Sequence, residues 1–244
     1  MKVYLITAPR STPKKALKIM IEKNDCKKWI IGWEKGKNGY EHFQIRVETS
    51  NDNFFAWVKY HIPQAHIEES NHQFTDQYER KEGRFISASD TNEIRKVRYG
   101  KPRHEQKAVI EALRHSNDRE IVVWYDPKGN SGKSWLACHL WETGQAHICQ
   151  SQDNVKGMIQ DIASDYMNNG YRPYLVIDIP RTWKWTDDLC CAIERAKDGL
   201  IKDTRYNAKT IDIRGVKILV CTNSMPKLTK LSADRWVIKS FERT

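Results

Sequence analysis

The run Ile121-Val122-Val123-Trp124-Tyr125 constrains this chain most, because it leads directly into a glycine-rich loop. Five apolar residues pass through Asp126-Pro127-Lys128 into Gly129-Asn130-Ser131-Gly132-Lys133-Ser134, and a helical pattern begins at once. A buried strand that breaks into glycines and then a helix brings backbone N–H groups together at a helix N-terminus, where they cradle phosphate. Lys133 can reach the β- and γ-phosphates, and the Ser134 hydroxyl can join a magnesium shell. Pro127 stands where the usual G-x-x-x-x-G-K-[ST] pattern has its first glycine, and Gly129 eases the turn instead. The signal is a nucleotide-phosphate site, residues 129–134, in a strand–loop–helix setting.

Two further buried strands are predicted at Tyr174–Asp178 and Val216–Cys221, with helical segments between. Together they imply an α/β domain on a parallel sheet. Asp178 ends its strand beside the loop and is placed to hold magnesium. Ile179 comes next, so a second acid is missing and no water-activating residue is identified. Asn223, just past the third strand, is a candidate γ-phosphate sensor or, more blandly, a turn cap. Arg235 is a candidate for acting across a subunit boundary on bound ATP. The alternative is an ion pair with its neighbour Asp234.

The first half is patterned differently. Val3–Thr7 reads as a strand, Pro13–Lys23 as a helix and Asn51–Tyr60 as a second helix. Lys28–Glu34 and His42–Glu48 read as strands joined through Asn38-Gly39, a tight-hairpin signal. On a strand, His42 and Gln44 share a face while Phe43 turns to the core. Across the hairpin Glu34 can join them, and one imidazole with two oxygens suits Mn²⁺ or Mg²⁺. A strand histidine alone is more often structural. Tyr78 and Lys81 share one helical face. A phenol with a pKa of ~10 is a poor nucleophile unaided. A metal-polarised phosphate and a nearby cation make its attack feasible.

The charge balance agrees with a polyanionic partner. The 244 residues carry 41 Lys+Arg against 31 Asp+Glu, a net +10, with nine Trp and ten Tyr. The densest basic stretch holds Lys96, Arg98, Lys101 and Arg103, and reads as a linker into a helix near Glu105–His115. No apolar run approaches roughly 18 residues, so no membrane-spanning helix is expected. The N-terminal apolar stretch is too short for a signal peptide. Six cysteines without a C-x-x-C pair argue against a disulfide framework or zinc knuckle and suggest a reducing compartment.

The ordered set Tyr4-Leu5-Ile6-Thr7-Ala8-Pro9-Arg10, His42-Phe43-Gln44, Tyr78-x-x-Lys81, the phosphate loop, Asp178 and Asn223 resembles the replication initiator (Rep) proteins of small circular single-stranded DNA viruses. Among these it is most similar to smacovirus Reps. The resemblance spans nearly the whole chain. It implies an α+β HUH endonuclease domain over residues 1–95, an antiparallel sheet flanked by helices. A basic linker and oligomerisation segment would come next at 96–115, then an α/β P-loop superfamily 3 helicase domain at 116–244. By the same resemblance Thr7, Pro9 and Arg10 contact origin DNA. Glu34, His42 and Gln44 hold Mn²⁺ or Mg²⁺, with Glu82 a further candidate ligand. Tyr78 is the nucleophile and Lys81 its helper. Lys133, Ser134, Asp178 and Asn223 bind ATP with Mg²⁺. Lys202, Arg205, Tyr206 and Lys209 fall where such helicases carry a DNA-contacting loop; a solvated basic hairpin is the alternative.

The implied activities are nicking and rejoining of origin single-stranded DNA through a phosphotyrosine, and ATP-driven unwinding. The implied partners are single-stranded and stem-loop DNA and further copies of the chain in a hexameric ring. The implied location is the host cell: the nucleus in a eukaryotic host, otherwise the cytoplasm. Two other readings compete. One is a P-loop ATPase whose first half binds DNA without cutting; the other is a plasmid or integrated-element initiator.

Overall fold

The computed structural model describes residues 1–150, 154–205 and 208–241. The chain forms two compact units, Met1–Arg98 and Tyr99–Thr244.

The first unit contains β1 (Lys2–Pro9), α1 (Lys14–Lys23), β2 (Cys26–Lys35), β3 (Glu41–Thr49), α2 (Phe54–His61), β4 (His66–Ser70), α3 (Gln77–Arg80), β5 (Phe85–Ser87) and α4 (Asn92–Arg98). Its five strands run antiparallel in the order β4-β1-β3-β2-β5. Alternation decides the faces. Tyr4, Ile6 and Ala8 of β1 and Phe43, Ile45 and Val47 of β3 are buried in one core with Leu17 and Met20 of α1 and Phe54 and Val58 of α2. Removing a side chain of this kind from water is worth about 1.5–3 kcal/mol, so this stripe fixes strand register. A slip of one residue would bury Gln44 and expose Phe43. Register then puts Thr7, Gln44, His42 and Glu34 together on the opposite face, through the pairs Thr7↔Gln44 and Glu34↔His42. The β2–β3 hairpin closes at Gly39 (φ 83°), with the Asn38 side chain accepting the Tyr40 N–H at 3.2 Å.

The basic stretch after Arg95 is not uniformly solvated. Arg98 is buried and makes two 2.8 Å bonds to the Asp90 carboxylate, while stacking on Phe85. Its charge belongs to the first unit's interior.

The second unit contains α5 (His104–His115), β6 (Ile121–Tyr125), α6 (Lys133–Glu142), β7 (Ala146–Gln150), α7 (Val155–Asn169), β8 (Tyr174–Asp178), α8 (Asp187–Asp198), β9 (Leu200–Asp203), β10 (Lys209–Asp212), β11 (Lys217–Thr222) and β12 (Trp236–Lys239). Five strands form a parallel sheet in the order β12-β6-β11-β8-β7, and β9 and β10 form a separate antiparallel pair. The sheet is covered on both sides, as parallel sheets require. Val122, Trp124, Val176 and Leu219 face Val109 and Leu113 of α5 and Leu136 and Leu140 of α6. Ile121, Val123, Leu175, Ile177, Ile218 and Val220 face α7 and α8. Asn154 caps α7 and Thr186 caps α8 through side-chain oxygens that accept Gly157 and Leu189 N–H groups, each worth about 1 kcal/mol. The C-terminal ends of the inner strands β6, β8 and β11 gather the glycine-rich loop, Asp178 and Asn223 at one end of the sheet.

Among the described residues, no helix is long and apolar enough to cross a membrane. None of the six cysteines is joined in a disulfide.

Candidate active sites

In the first unit, the exposed sheet face and α3 converge on Glu34. One carboxylate oxygen, Oε2, lies 3.7 Å from His42 Nε2; the Glu34 and His42 side chains are only 12% and 13% exposed. This oxygen is buried and has no hydrogen-bond partner, an orphaned acceptor of the kind a cation satisfies. Gln44 sits one alternation along β3 from His42, and its Oε1 accepts the Thr7 hydroxyl at 3.0 Å. An amide oxygen has a second lone pair to offer. Thr7 therefore orients Gln44. Among the described residues no three His, Cys, Asp or Glu side chains form a metal site. The candidate set has two of these and an amide. This donor set fits a hard or borderline divalent cation that keeps water in its shell.

The other Glu34 oxygen is the meeting point for α3. The Tyr78 hydroxyl donates to Glu34 Oε1 at 3.1 Å, and Lys81 Nζ donates to the same atom. Lys81 also lies 3.7 Å over the Tyr78 ring. Burial lowers the Lys81 pKa, but the bonds to Glu34 and Tyr78 outweigh it and raise it above the ordinary value. The ammonium is therefore charged at neutral pH. Tyr78 is half exposed, so a phosphodiester can reach it. Glu82, just beyond α3, is exposed.

Residues with no signal in the sequence pattern hold α3 in place. Glu79 is fully buried and pairs with Arg46 of β3 at 3.1 Å. Burial pushes the Glu79 pKa up, and Arg46 pulls against it. Asp76 and Arg80 clamp the ends of the turn at 2.7 Å. Beneath it lies Gly32, where an added Cβ would come 2.5 Å from the Glu79 carbonyl oxygen. Only a glycine lets the α3 backbone rest on β2 at this distance. Pro9 is half-buried opposite His42, and Arg10 is exposed with its guanidinium 5.1 Å from the Trp33 ring and 4.8 Å from the Phe43 ring.

In the second unit, Gly129 (φ 78°) and Asn130 (φ 62°) take left-handed backbone conformations in the loop before α6. Ser131 and Lys133 are buried, and Asn130 and Ser134 are exposed. Lys133 Nζ lies 3.4 Å from both the backbone oxygen and Oδ2 of Asp126. Asn223 donates its amide to the Asp126 carbonyl, which ties β11 to the start of the loop. Burial pushes the Asp178 pKa up while Lys133 pulls it down. Two supports carry no sequence signal. Buried Gln106 of α5 donates to the Gly132 carbonyl at 3.0 Å, and Arg181 donates to the Lys128 carbonyl at 3.1 Å.

Arg235 is not brought to this loop. The adjoining Trp236 pairs with Ile121, at the end of β6 away from the loop. The buried Arg235 guanidinium lies 3.2 Å from Glu194 and 3.5 Å from Asp198 of α8. Asp234, its partner in the alternative reading, pairs instead with Arg119 at 2.6 Å. Lys202 and Lys209 are exposed on β9 and β10. Arg205 bonds to Asp203 and to the Gln160 carbonyl. Tyr206 lies outside the described residues.

No family model matches the chain. Para-Rep C3 of Milk vetch dwarf C3 alphasatellite is 24% identical over 84% of this chain and 88% of that protein. Para-Rep C6 of Subterranean clover stunt C6 alphasatellite is 30% identical over 53% of the chain and 44% of that protein. The master replication protein of Subterranean clover stunt virus (strain F) is 27% identical over 53% and 42%. The last two matches thus span less than half the length of those relatives. The relatives of this chain are Rep and master replication proteins of viruses and alphasatellites.

Proposed function

We propose that the chain is a rolling-circle replication initiator that cuts and rejoins single-stranded DNA with Tyr78. The observation that carries this reading is the convergence of an exposed tyrosine hydroxyl and a charged lysine on Glu34, whose other oxygen faces His42. Glu34, His42 and Gln44 would hold Mn²⁺ or Mg²⁺, which when bound withdraws charge from the scissile phosphate. Tyr78 Oη attacks the phosphorus, forming a phosphotyrosine to the 5′ side and releasing a 3′-hydroxyl. One phosphoester replaces another, so the reverse attack by a 3′-hydroxyl rejoins the strand. The phenol proton points at Glu34 Oε1, which leaves the oxygen lone pairs for attack. Lys81, above the ring, offsets negative charge as it develops on the phenolic oxygen. Thr7 and Pro9 border this face and would position the strand, whereas the Arg10 guanidinium lies against the Trp33 and Phe43 rings on the other face of the sheet.

The second unit would couple ATP to unwinding. Lys133 and Ser134 would contact phosphate and Mg²⁺, with Asp178 on the metal and Asn223 at the γ-phosphate. Lys202, Arg205 and Lys209 would bear on the displaced strand, in a ring of copies. Arg235 would have to leave Glu194 and Asp198 to act on a neighbour's nucleotide.

The test is cleavage of a labelled single-stranded oligonucleotide carrying the element's stem-loop, with Mn²⁺ or EDTA, read on a denaturing gel. A covalent protein–DNA adduct that requires Mn²⁺ and disappears in Tyr78→Phe is the expected result. Equal cleavage by Tyr78→Phe would refute the assignment. Binding without any adduct would favour a non-cleaving DNA-binding module.

A further inference from the structure

The phosphate loop contains an acid that the nucleotide reading leaves unused. Asp126 comes directly after β6 and turns its carboxylate into the loop. Its Oδ1 accepts the Gly129 N–H at 3.1 Å, and its Oδ2 lies 3.4 Å from Lys133 Nζ. A loop N–H and the loop lysine are the two kinds of donor that phosphate oxygens use at such a site. The contact is sheltered, with the Asp126 and Lys133 side chains 13% and 9% exposed. Burial pushes the Asp126 pKa up, but the loop donors and Lys133 outweigh it and hold the carboxyl below its ordinary value. The group is therefore an anion at neutral pH. Its backbone is fastened as well, since Asn223 donates to its carbonyl, while Arg181 steadies the loop at Lys128.

We propose that Asp126 is an internal anion that competes with nucleotide phosphate for Lys133 and the Gly129 N–H, and so sets the nucleotide affinity of this loop. The proposal rests on reading residues 129–134 as a nucleotide site. An entering phosphate must draw Lys133 away from a carboxylate in a poorly hydrated place, where like charges repel strongly. Apparent affinity falls by the fraction of molecules in which the lysine is released. Divalent cation should help the parent chain more than a chain without this charge, because it offsets the two anions.

The test is a titration of the full chain with a fluorescent ATP analogue, with and without Mg²⁺. Asp126→Asn keeps an oxygen for the Gly129 N–H and removes only the charge. It should bind the analogue at least about tenfold more tightly than the parent, with a weaker dependence on Mg²⁺. Asp126→Ala carries the same expectation and decides the matter if the asparagine variant does not fold. Parental or weaker affinity in the folded variant overturns the proposal while leaving the nucleotide site standing. Lys133→Ala separates the other failure. If it binds like the parent, or if neither the parent nor the Asp126 variants bind, the nucleotide reading itself falls and the proposal goes with it.

Discussion

Replacing Gly32 with alanine tests whether the seating of α3 on β2 positions Tyr78, the proposed nucleophile. The added Cβ would stand 2.5 Å from the Glu79 carbonyl oxygen and 3.4 Å from its carbon. A carbon and an oxygen make ordinary contact at about 3.3–3.6 Å, so the backbone must separate by roughly 1 Å. Neither side yields easily. Gly32 is held between β3 and β5, and Glu79 is pinned to Arg46. Overpacking of this size costs about 1–3 kcal/mol, which a sheet of five strands can survive. Tyr78 precedes Glu79 and moves with it, and a misplacement of about 1 Å at a reacting group costs on the order of 100-fold in rate. The expected result is a folded chain that binds the stem-loop oligonucleotide as before and forms the adduct about 100-fold more slowly. The assay is single-turnover adduct formation, beside a binding isotherm and thermal unfolding of the same preparation. A Gly32→Ala chain that is folded and cleaves at the parental rate would refute the reasoning, because α3 would then not need its seat.

Thr7→Val removes the donor that aims the Gln44 oxygen; outer partners of this kind change metal affinity by about 10–100-fold. The Mn²⁺ concentration for half-maximal adduct formation should rise by at least about tenfold, and an unchanged midpoint would count against Gln44 as a ligand. Arg46→Met strands the Glu79 carboxylate, whose side chain is 0% exposed. Removing one partner of a buried pair costs about 3–5 kcal/mol, so urea unfolding should show a loss of that order, and a loss under about 1 kcal/mol would contradict the pairing. Lys197 is buried, donates to the Val216 carbonyl, and has its pKa lowered to about 8 by burial. The unfolded chain binds more protons than the folded one between that value and the ordinary 10.5, so the group's contribution to stability rises with pH across this window. The parent should gain about 2 kcal/mol on Lys197→Met between pH ~7 and ~10, once solvent screening is allowed for. A stability difference that stays constant over that range would disprove the titration.

The elements legible in the sequence are those whose burial is written into alternating or continuous apolar runs. β1, β2 and β3 show one buried face, and β6, β8 and β11 are buried on both. The strands without such a run sit at sheet edges or are short. β4 reads His66-Ile67-Glu68-Glu69-Ser70 and buries one side chain, Ile67. Its ladder with β1 makes it a strand, which no window of five residues can reveal. β5 spans three residues, and β12 lies at the sheet edge with four half-buried ones. An edge strand needs only one neighbour and little apolar surface, so its sequence need not advertise it.

The same physics explains which parts of the sites could be foreseen. Glu34, His42 and Gln44 share one sheet face because a hairpin and a period of two put them there, and both are local rules. Tyr78 and Lys81 share a face by helical spacing, also local. Their convergence on Glu34, more than 40 residues earlier in sequence, depends on Gly32 and Arg46, which look like an ordinary glycine and an ordinary strand cation. Asp126 is the sharper case. In sequence it is one more turn-forming acid before Pro127, yet the loop folds it back onto Lys133. A motif names the groups that can bind a phosphate. Whether those groups are available depends on what else the fold gives them to bind, and that balance is set by residues outside the motif. Arg235 makes the same point from the other side. A cation that reaches a neighbour must first be released at home, and in this chain Glu194 and Asp198 match Arg235. Readings of catalytic arginines and lysines from sequence therefore hold only as far as their counter-charges are known.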